Sequence, residues 1–106
     1  MKKVTICLML VLFGSLIFYH PVANAMDGEN LYKTKCGQCH KTNGEAPVFS
    51  PVKYASSQWE RFFVREKHKR KKDISGQISG NELASIKQFL IDHAADSDLP
   101  IAAGLK

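Results

Sequence analysis

The sequence predicts a small all-α domain of about three helices, and three observations support this prediction. Three segments carry helix N-cap residues together with apolar side chains at helical spacing. Stretches that contain glycine and proline separate these segments, as expected for loops. No segment shows the sustained alternation of apolar and polar residues that is typical of a half-buried strand.

Residues 1–25 are predicted to form a cleavable export signal. A basic start is followed by an apolar run from Val4 to Tyr19 and by small residues from Ala23 to Ala25, which is the order found in secretory signals. The apolar run is short for a membrane span and is followed by a proline, so an uncleaved anchor helix is the less favoured alternative. We therefore expect export to the periplasm and a single mature domain at residues 26–106.

The expected mature chain is small and mildly basic. The whole sequence has 106 residues, with 15 basic and 10 acidic side chains, and loss of Lys2 and Lys3 with the signal leaves 13 basic ones. Two cysteines remain, Cys36 and Cys39, and a bridge between them would close a loop too short to stabilise a fold. Because a chain of this size buries only a thin core, we expect a bound cofactor to add the missing stability.

The first two predicted helices are identified by their N-termini. The first runs from Asp27 to Lys35, with Asp27 as its N-cap. The second is predicted to begin at Ser57, which forms a capping-box pattern with Glu60. Its aromatic face consists of Trp59, Phe62 and Phe63.

The third predicted helix has the clearest sequence pattern. Ser79 and Glu82 form a second capping-box pattern, and the helix is expected to end near Asp96 to Asp98, before a proline. Its buried stripe is predicted to contain Leu83, Ile86, Phe89, Leu90 and Ala94.

The most specific motif is Cys36-Gly-Gln-Cys39-His40. A redox dithiol needs a neighbouring sheet, and a zinc site needs two more closely spaced ligands, whereas His68 and His93 stand alone and far apart. Two thiols at this spacing can instead bond the two vinyl groups of one haem, with His40 as the proximal iron ligand. The motif therefore favours one covalently attached haem c.

Two segments resemble monohaem class I-like cytochromes c. The stretch GENLYKTKCGQCH is similar to their first helix and haem motif, and ASIKQFLIDHA is similar to their closing helix. Tyr32 and the Phe89-Leu90 pair match positions at which, in that family, the two helices pack together. The middle of the chain departs from this pattern, because no methionine follows Met26 to serve as sixth ligand. Its Trp59 and His68 resemble the distal region of small dihaem-cytochrome-c-like domains.

The sixth ligand is expected to be His68. An unbroken helix would point Trp59 and His68 in opposite directions, so the helix must unwind before His68 if both are to face the haem. The alternatives are His93, which lies on the apolar stripe of the last helix, a weaker ligand, or an open position.

The expected function is single-electron transfer between redox partner proteins, without catalysis by the chain itself. Two imidazole ligands imply a low reduction potential. An open or displaceable sixth site would instead imply a protein that binds or senses small gases, and a subunit of a larger redox enzyme is a third alternative. The run from Arg65 to Lys72, with six basic residues and one acid, is either a solvated surface or a docking patch for an acidic partner. Nucleic acid is not an expected partner, and membrane association stays open.

Overall fold

The computed structural model describes residues 27–106, so the predicted signal and its cleavage site lie outside the described residues. The α-helices are α1 (Gly28–Lys35), α2 (Ser56–Val64) and α3 (Gly80–Asp92). Three short 3₁₀ turns join them, at Cys36–Gln38, Pro51–Lys53 and Lys67–Arg70. The described residues contain no strand beyond an isolated bridge between His40 and Ala46, which confirms the all-α prediction. None of the helices in this part of the chain is long and apolar enough to span a membrane.

Helices α1 and α3 cross at close range. Asp27 caps α1 by accepting a hydrogen bond from the Asn30 backbone N–H at 3.1 Å, as predicted. A side chain at Gly28 would overlap the Ser85 carbonyl oxygen of α3, so the crossing requires glycine here. The rings of Tyr32 and Phe89 lie 5.3 Å apart in the same interface. The first and last helices therefore pack together, as the resemblance implied.

The predicted N-terminus of α3 is confirmed. The Ser79 hydroxyl accepts from the Glu82 N–H, and the Glu82 carboxylate accepts from the Ser79 N–H, both at 3.1 Å. The predicted stripe is confirmed within the helix, because Ile86, Phe89 and Leu90 are buried and Leu83 packs against them. Ala94 is also buried, but it lies beyond the end of the helix.

The end of α3 was predicted too late. The helix stops at Asp92, not near Asp96 to Asp98, and His93 is its C-cap. The chain turns back here, because the Ile101 N–H donates to the His93 carbonyl at 3.1 Å. This return pairing replaces the further helical turn that the sequence pattern suggested.

The predicted start of α2 is wrong. The helix begins at Ser56, with Ala55 as N-cap, so Ser57 and Glu60 do not form the capping box. The Asp96 carboxylate, from the loop after α3, accepts from the Ser56 N–H at 2.7 Å and from its hydroxyl at 2.9 Å. A distant acceptor thus caps the helix and fixes its first residue.

Helix α2 ends in a sharp change of direction. Glu66 has φ 47° and ψ 42°, in the left-handed region that non-glycine residues seldom adopt. The following turn, Lys67–Arg70, carries His68. The helix therefore unwinds before His68, which is the condition for Trp59 and His68 to face the same space.

The C-terminal tail completes the core. Leu105 is 7% exposed, and its N–H donates to the Phe49 carbonyl at 3.3 Å. The Tyr32 hydroxyl donates to the same carbonyl oxygen at 2.6 Å. The segment at Phe49 is thereby held from both sides, by α1 and by the tail.

Candidate functional site

A cavity of about 750 Å³ lies between the helices and the turn that carries His68. This volume falls within the range of pockets that bind cofactor-sized molecules, about 300–1,000 Å³. Cys36, Cys39, His40 and His68 all line it. Its apolar wall consists of Phe49, Tyr54, Trp59, Phe62, Phe63, Ile74, Ile78, Leu83, Ile86 and Leu90. The predicted site residues are thus brought to one apolar cavity.

The two thiols sit on the tight turn that follows α1. The His40 N–H donates to the Cys36 carbonyl at 2.9 Å, which closes the motif into one compact turn. Both thiols are free, and burial, followed by the neighbouring Cys39 thiol, raises the pKa of Cys36 to about 11. Reactive redox dithiols have lowered thiol pKa values. The surroundings of Cys36 therefore disfavour the dithiol interpretation.

A zinc site is also disfavoured. Within residues 27–106, no group of three or more histidine, cysteine, aspartate or glutamate side chains could hold a metal ion. A structural zinc ion needs four such ligands in tetrahedral arrangement.

The His40 ring is fixed by its surroundings. Its Nδ1 is hydrogen-bonded to the Pro47 carbonyl at 2.6 Å. The ring of Phe49 packs edge-on against it, with ring centres 4.8 Å apart. A carbonyl partner makes Nδ1 the protonated nitrogen and leaves Nε2 as the basic one, available to a metal.

His68 has the same kind of anchor. Its Nδ1 is hydrogen-bonded to the Lys72 carbonyl at 2.9 Å. The Lys71 and Lys72 N–H groups donate to the His68 carbonyl at 3.0 and 2.9 Å, so the turn is closed on itself. As in His40, Nε2 is the nitrogen available to a metal.

The separation of these two rings fits a shared iron. The ring centres of His40 and His68 lie 6.2 Å apart, with planes at 74°. A metal–imidazole bond is about 2 Å long and a ring nitrogen lies about 1 Å from its ring centre, so two imidazoles on opposite sides of one metal have centres about 6 Å apart. The apolar wall, the paired thiols and the two imidazoles together suit a covalently held haem.

His93 lies elsewhere. Its Nδ1 is bonded to the Leu99 carbonyl at 2.7 Å, and its ring packs on Phe89 with centres 4.8 Å apart. It is not among the residues that line the cavity. The structure therefore brings His68, and not His93, to the side of His40.

Trp59 forms part of the cavity wall. It is 3% exposed, and its indole N–H donates to the Pro51 carbonyl at 2.8 Å. The ring of Tyr54 packs edge-on against it, with centres 4.8 Å apart. With its one donor used, Trp59 contributes apolar surface to the site.

The rim of the cavity is cationic. Six lysines line it: Lys35, Lys53, Lys67, Lys69, Lys71 and Lys72. The four that follow Glu66 belong to the predicted basic run, which the structure wraps along one side of the opening. Glu45 faces this side and pairs with Lys72 at 3.0 Å.

Sequence reasoning missed the groups that orient the histidines. They are the carbonyls of Pro47 and Lys72, together with the Phe49 ring. Backbone carbonyls carry no side-chain signature, so no residue pattern identifies them. Only the high density of aromatic residues after the haem motif gave a sign that a wall forms there.

Comparison with known protein families gives one match. A family model described as Cytochrome c matches residues 25–98, which is more than half of the chain. No curated protein and no solved structure matches.

Proposed function

The chain belongs to the cytochrome c family, and on this basis we propose that it is a low-potential carrier of single electrons that works in the periplasm. The family binds iron-containing haem c covalently and transfers electrons to and from partner proteins, generally as a carrier and not as an enzyme. The expected resemblance and cofactor are thus confirmed. The observation that carries the finer proposal is the pair of anchored imidazoles, His40 and His68, with ring centres 6.2 Å apart.

We assign four residues to the haem. Cys36 and Cys39 would hold it through thioether bonds, with His40 as the proximal ligand and His68 as the distal ligand. The carbonyls of Pro47 and Lys72 orient the two imidazoles through hydrogen bonds to Nδ1. The aromatic wall would supply apolar contacts to the haem.

The ligand pair supports a low potential. Imidazole favours ferric iron relative to the thioether of methionine, and the chain has no methionine after Met26. The rim lysines favour the reduced state, but most of them are exposed and solvent screens their charge. We therefore expect ligand identity to dominate the potential.

Haem supplies the exchange of one electron between ferric and ferrous iron. The chain supports this by holding both ligands in place, so that little rearrangement accompanies the exchange. The rim lysines offer a docking surface to an acidic redox partner, and association should slow as salt concentration rises. The predicted export signal supports the periplasmic assignment.

A second function is favoured by one observation. Most of the turn that carries His68 is exposed, and the turn is entered through the strained Glu66. Displacement of His68 would open the sixth position to a small gas. This protein would then bind or sense such gases.

Visible absorption spectra of the purified haem protein, ferric and ferrous, with and without carbon monoxide, test the proposal. The wild type should be low-spin and should bind carbon monoxide only slowly, whereas His68→Ala should be high-spin and should bind it rapidly. His93→Ala is the matched control and should resemble the wild type, because His93 does not line the cavity. A high-spin wild type that binds carbon monoxide rapidly would contradict the distal assignment and favour gas binding.

A further inference from the structure

Lys72 makes two contacts that belong to different parts of the site. Its backbone carbonyl is bonded to Nδ1 of His68 at 2.9 Å. Its side-chain Nζ lies 3.0 Å from Oε2 of Glu45. One residue thus joins the distal histidine to a carboxylate on the proximal side of the cavity.

Glu45 belongs to the loop that fixes the proximal histidine. The N–H of the next residue, Ala46, donates to the Cys39 carbonyl at 3.0 Å, and the carbonyl of Pro47 is the partner of His40. The ion pair therefore connects the loop behind His40 to the turn behind His68. It closes beside the Cys39 sulfur, which lies 3.8 Å from the carboxylate and 4.0 Å from the lysine nitrogen.

Little else holds the distal turn. Within the stretch from Glu66 to Asp73 every residue is exposed except His68, which is half-buried. The left-handed conformation of Glu66 opposes the turn by about 1–2 kcal/mol. The next apolar anchor, Ile74, is only partly buried. A tether at Lys72 therefore acts on a segment with few other restraints.

We propose that Glu45 and Lys72 are positioning residues, whose ion pair clasps the turn of His68 to the proximal loop and slows displacement of His68. This inference rests on the proposed role of His68 as distal ligand. A carboxylate and an ammonium group are both charged near neutral pH, and this pair is exposed. Salt, which screens an exposed pair, is then the condition that loosens the clasp.

The test is the rate at which the ferrous protein binds carbon monoxide, measured by stopped flow at low salt. Glu45→Gln, Glu45→Lys and Lys72→Glu remove or reverse one charge, and the double swap of Glu45→Lys with Lys72→Glu restores the pair. Each Lys72 variant keeps the backbone carbonyl that binds His68. We expect the single variants to bind carbon monoxide about 1.4- to fivefold faster, which corresponds to the energy range of an exposed ion pair. The double swap should return the rate toward that of the wild type.

The matched control is the ion pair between Lys87 and Glu60, which lie 2.8 Å apart and are not among the residues that line the cavity. Glu60→Lys should leave the rate unchanged. Hydrogen exchange at the Lys72 amide, which is bonded to the His68 carbonyl, is a second readout. Exchange there should quicken in the single variants and recover in the double swap.

The outcomes separate the two proposals. A low-spin wild type with equal rates in all the Glu45 and Lys72 variants would overturn the clasp and leave the proposed function intact. A high-spin wild type would contradict the proposed ligation, and the positioning role would fall with it. Faster binding in the single variants without recovery in the double swap would also overturn the clasp, because the effect would not depend on the pair.

Discussion

Two backbone carbonyl groups determine which ring nitrogen of His40 and of His68 is free to bind a metal. The carbonyls of Pro47 and Lys72 each take one ring nitrogen, and each leaves Nε2 for the cavity. Such a bond fixes the tautomer and raises the basicity of the free nitrogen. The two proposed ligands are thus held in the same tautomer, although the segments that supply the carbonyls differ in sequence.

Gly28 is another position where one residue controls the packing. Its missing side chain lets α1 approach the Ser85 carbonyl and the Phe89 side chain of α3. Since α1 leads directly into the thiol turn, this contact places Cys36 relative to the last helix.

Gly28→Ala should therefore destabilise the protein by about 1–3 kcal/mol, because the helices must separate to admit the methyl group. Gly76→Ala is the matched control. Gly76 does not line the cavity, and a Cβ added there would have no heavy atom within 4 Å, so this change should be neutral or stabilising by less than about 1 kcal/mol. Urea unfolding followed by far-UV circular dichroism gives both values. Equal effects at the two glycines would contradict the close crossing.

At the scale of elements, the N-terminus of α2 depends on the loop after α3. Asp96 accepts from both the backbone N–H and the hydroxyl of Ser56, and the Ser56 hydroxyl also reaches the Ile91 carbonyl at 3.2 Å. Two elements that enclose the cavity are thereby joined at one end. The bonds from Ser56 lower the pKa of Asp96 below its ordinary value of 3.8.

This lowered pKa predicts a pH dependence with a definite sign. The folded pKa lies below the unfolded value, so the stabilisation is fully present above about pH 4 and is lost as the pH falls through the folded pKa. Asp96→Asn resembles the protonated acid. The wild type should unfold at a higher temperature than Asp96→Asn at pH 7, and the difference should shrink as the pH is lowered below about 4.

Thermal unfolding at several pH values measures this difference. Asp98→Asn, which changes an exposed carboxylate in the same loop, is the control and should give a small difference at every pH. A gap between wild type and Asp96→Asn that is constant with pH would show that the charge of Asp96 is not what caps α2.

At the scale of the whole molecule, the fold surrounds the cavity instead of filling it. Eight hydrophobic residues among those described are buried, and five of the cavity-lining aromatic residues pack against one another around the open space. Without haem, the apolar and aromatic side chains that line this cavity would expose to water surface that the cofactor otherwise covers. A domain is stable by only about 5–15 kcal/mol, so such exposure weighs heavily against the folded state.

The chain without haem should therefore not keep this fold. A variant with Cys36→Ser and Cys39→Ser, purified free of haem, should lose most of its far-UV helical signal and its cooperative thermal transition. The haem-bearing wild type under identical conditions is the comparison. A haem-free variant with wild-type helix content and a sharp transition would contradict the view that the cofactor completes the core.

The sequence alone determined what depends on neighbouring residues. Cys36, Cys39 and His40 identify the haem-binding family because the attachment chemistry lies within one short motif. The caps at Asp27 and Ser79 were predictable because each bond spans only three residues. The buried stripe of α3 followed from helical spacing for the same reason.

Only the tertiary structure decided those features that depend on residues far apart in the sequence. It set the cap of α2 by Asp96, buried Leu105, and brought the His68 turn, not His93, beside His40. In each case the partner lies far along the chain, and its position depends on how loops reverse and helices cross. Local patterns carry no information about such distances, so folding of the whole chain had to bring these groups together.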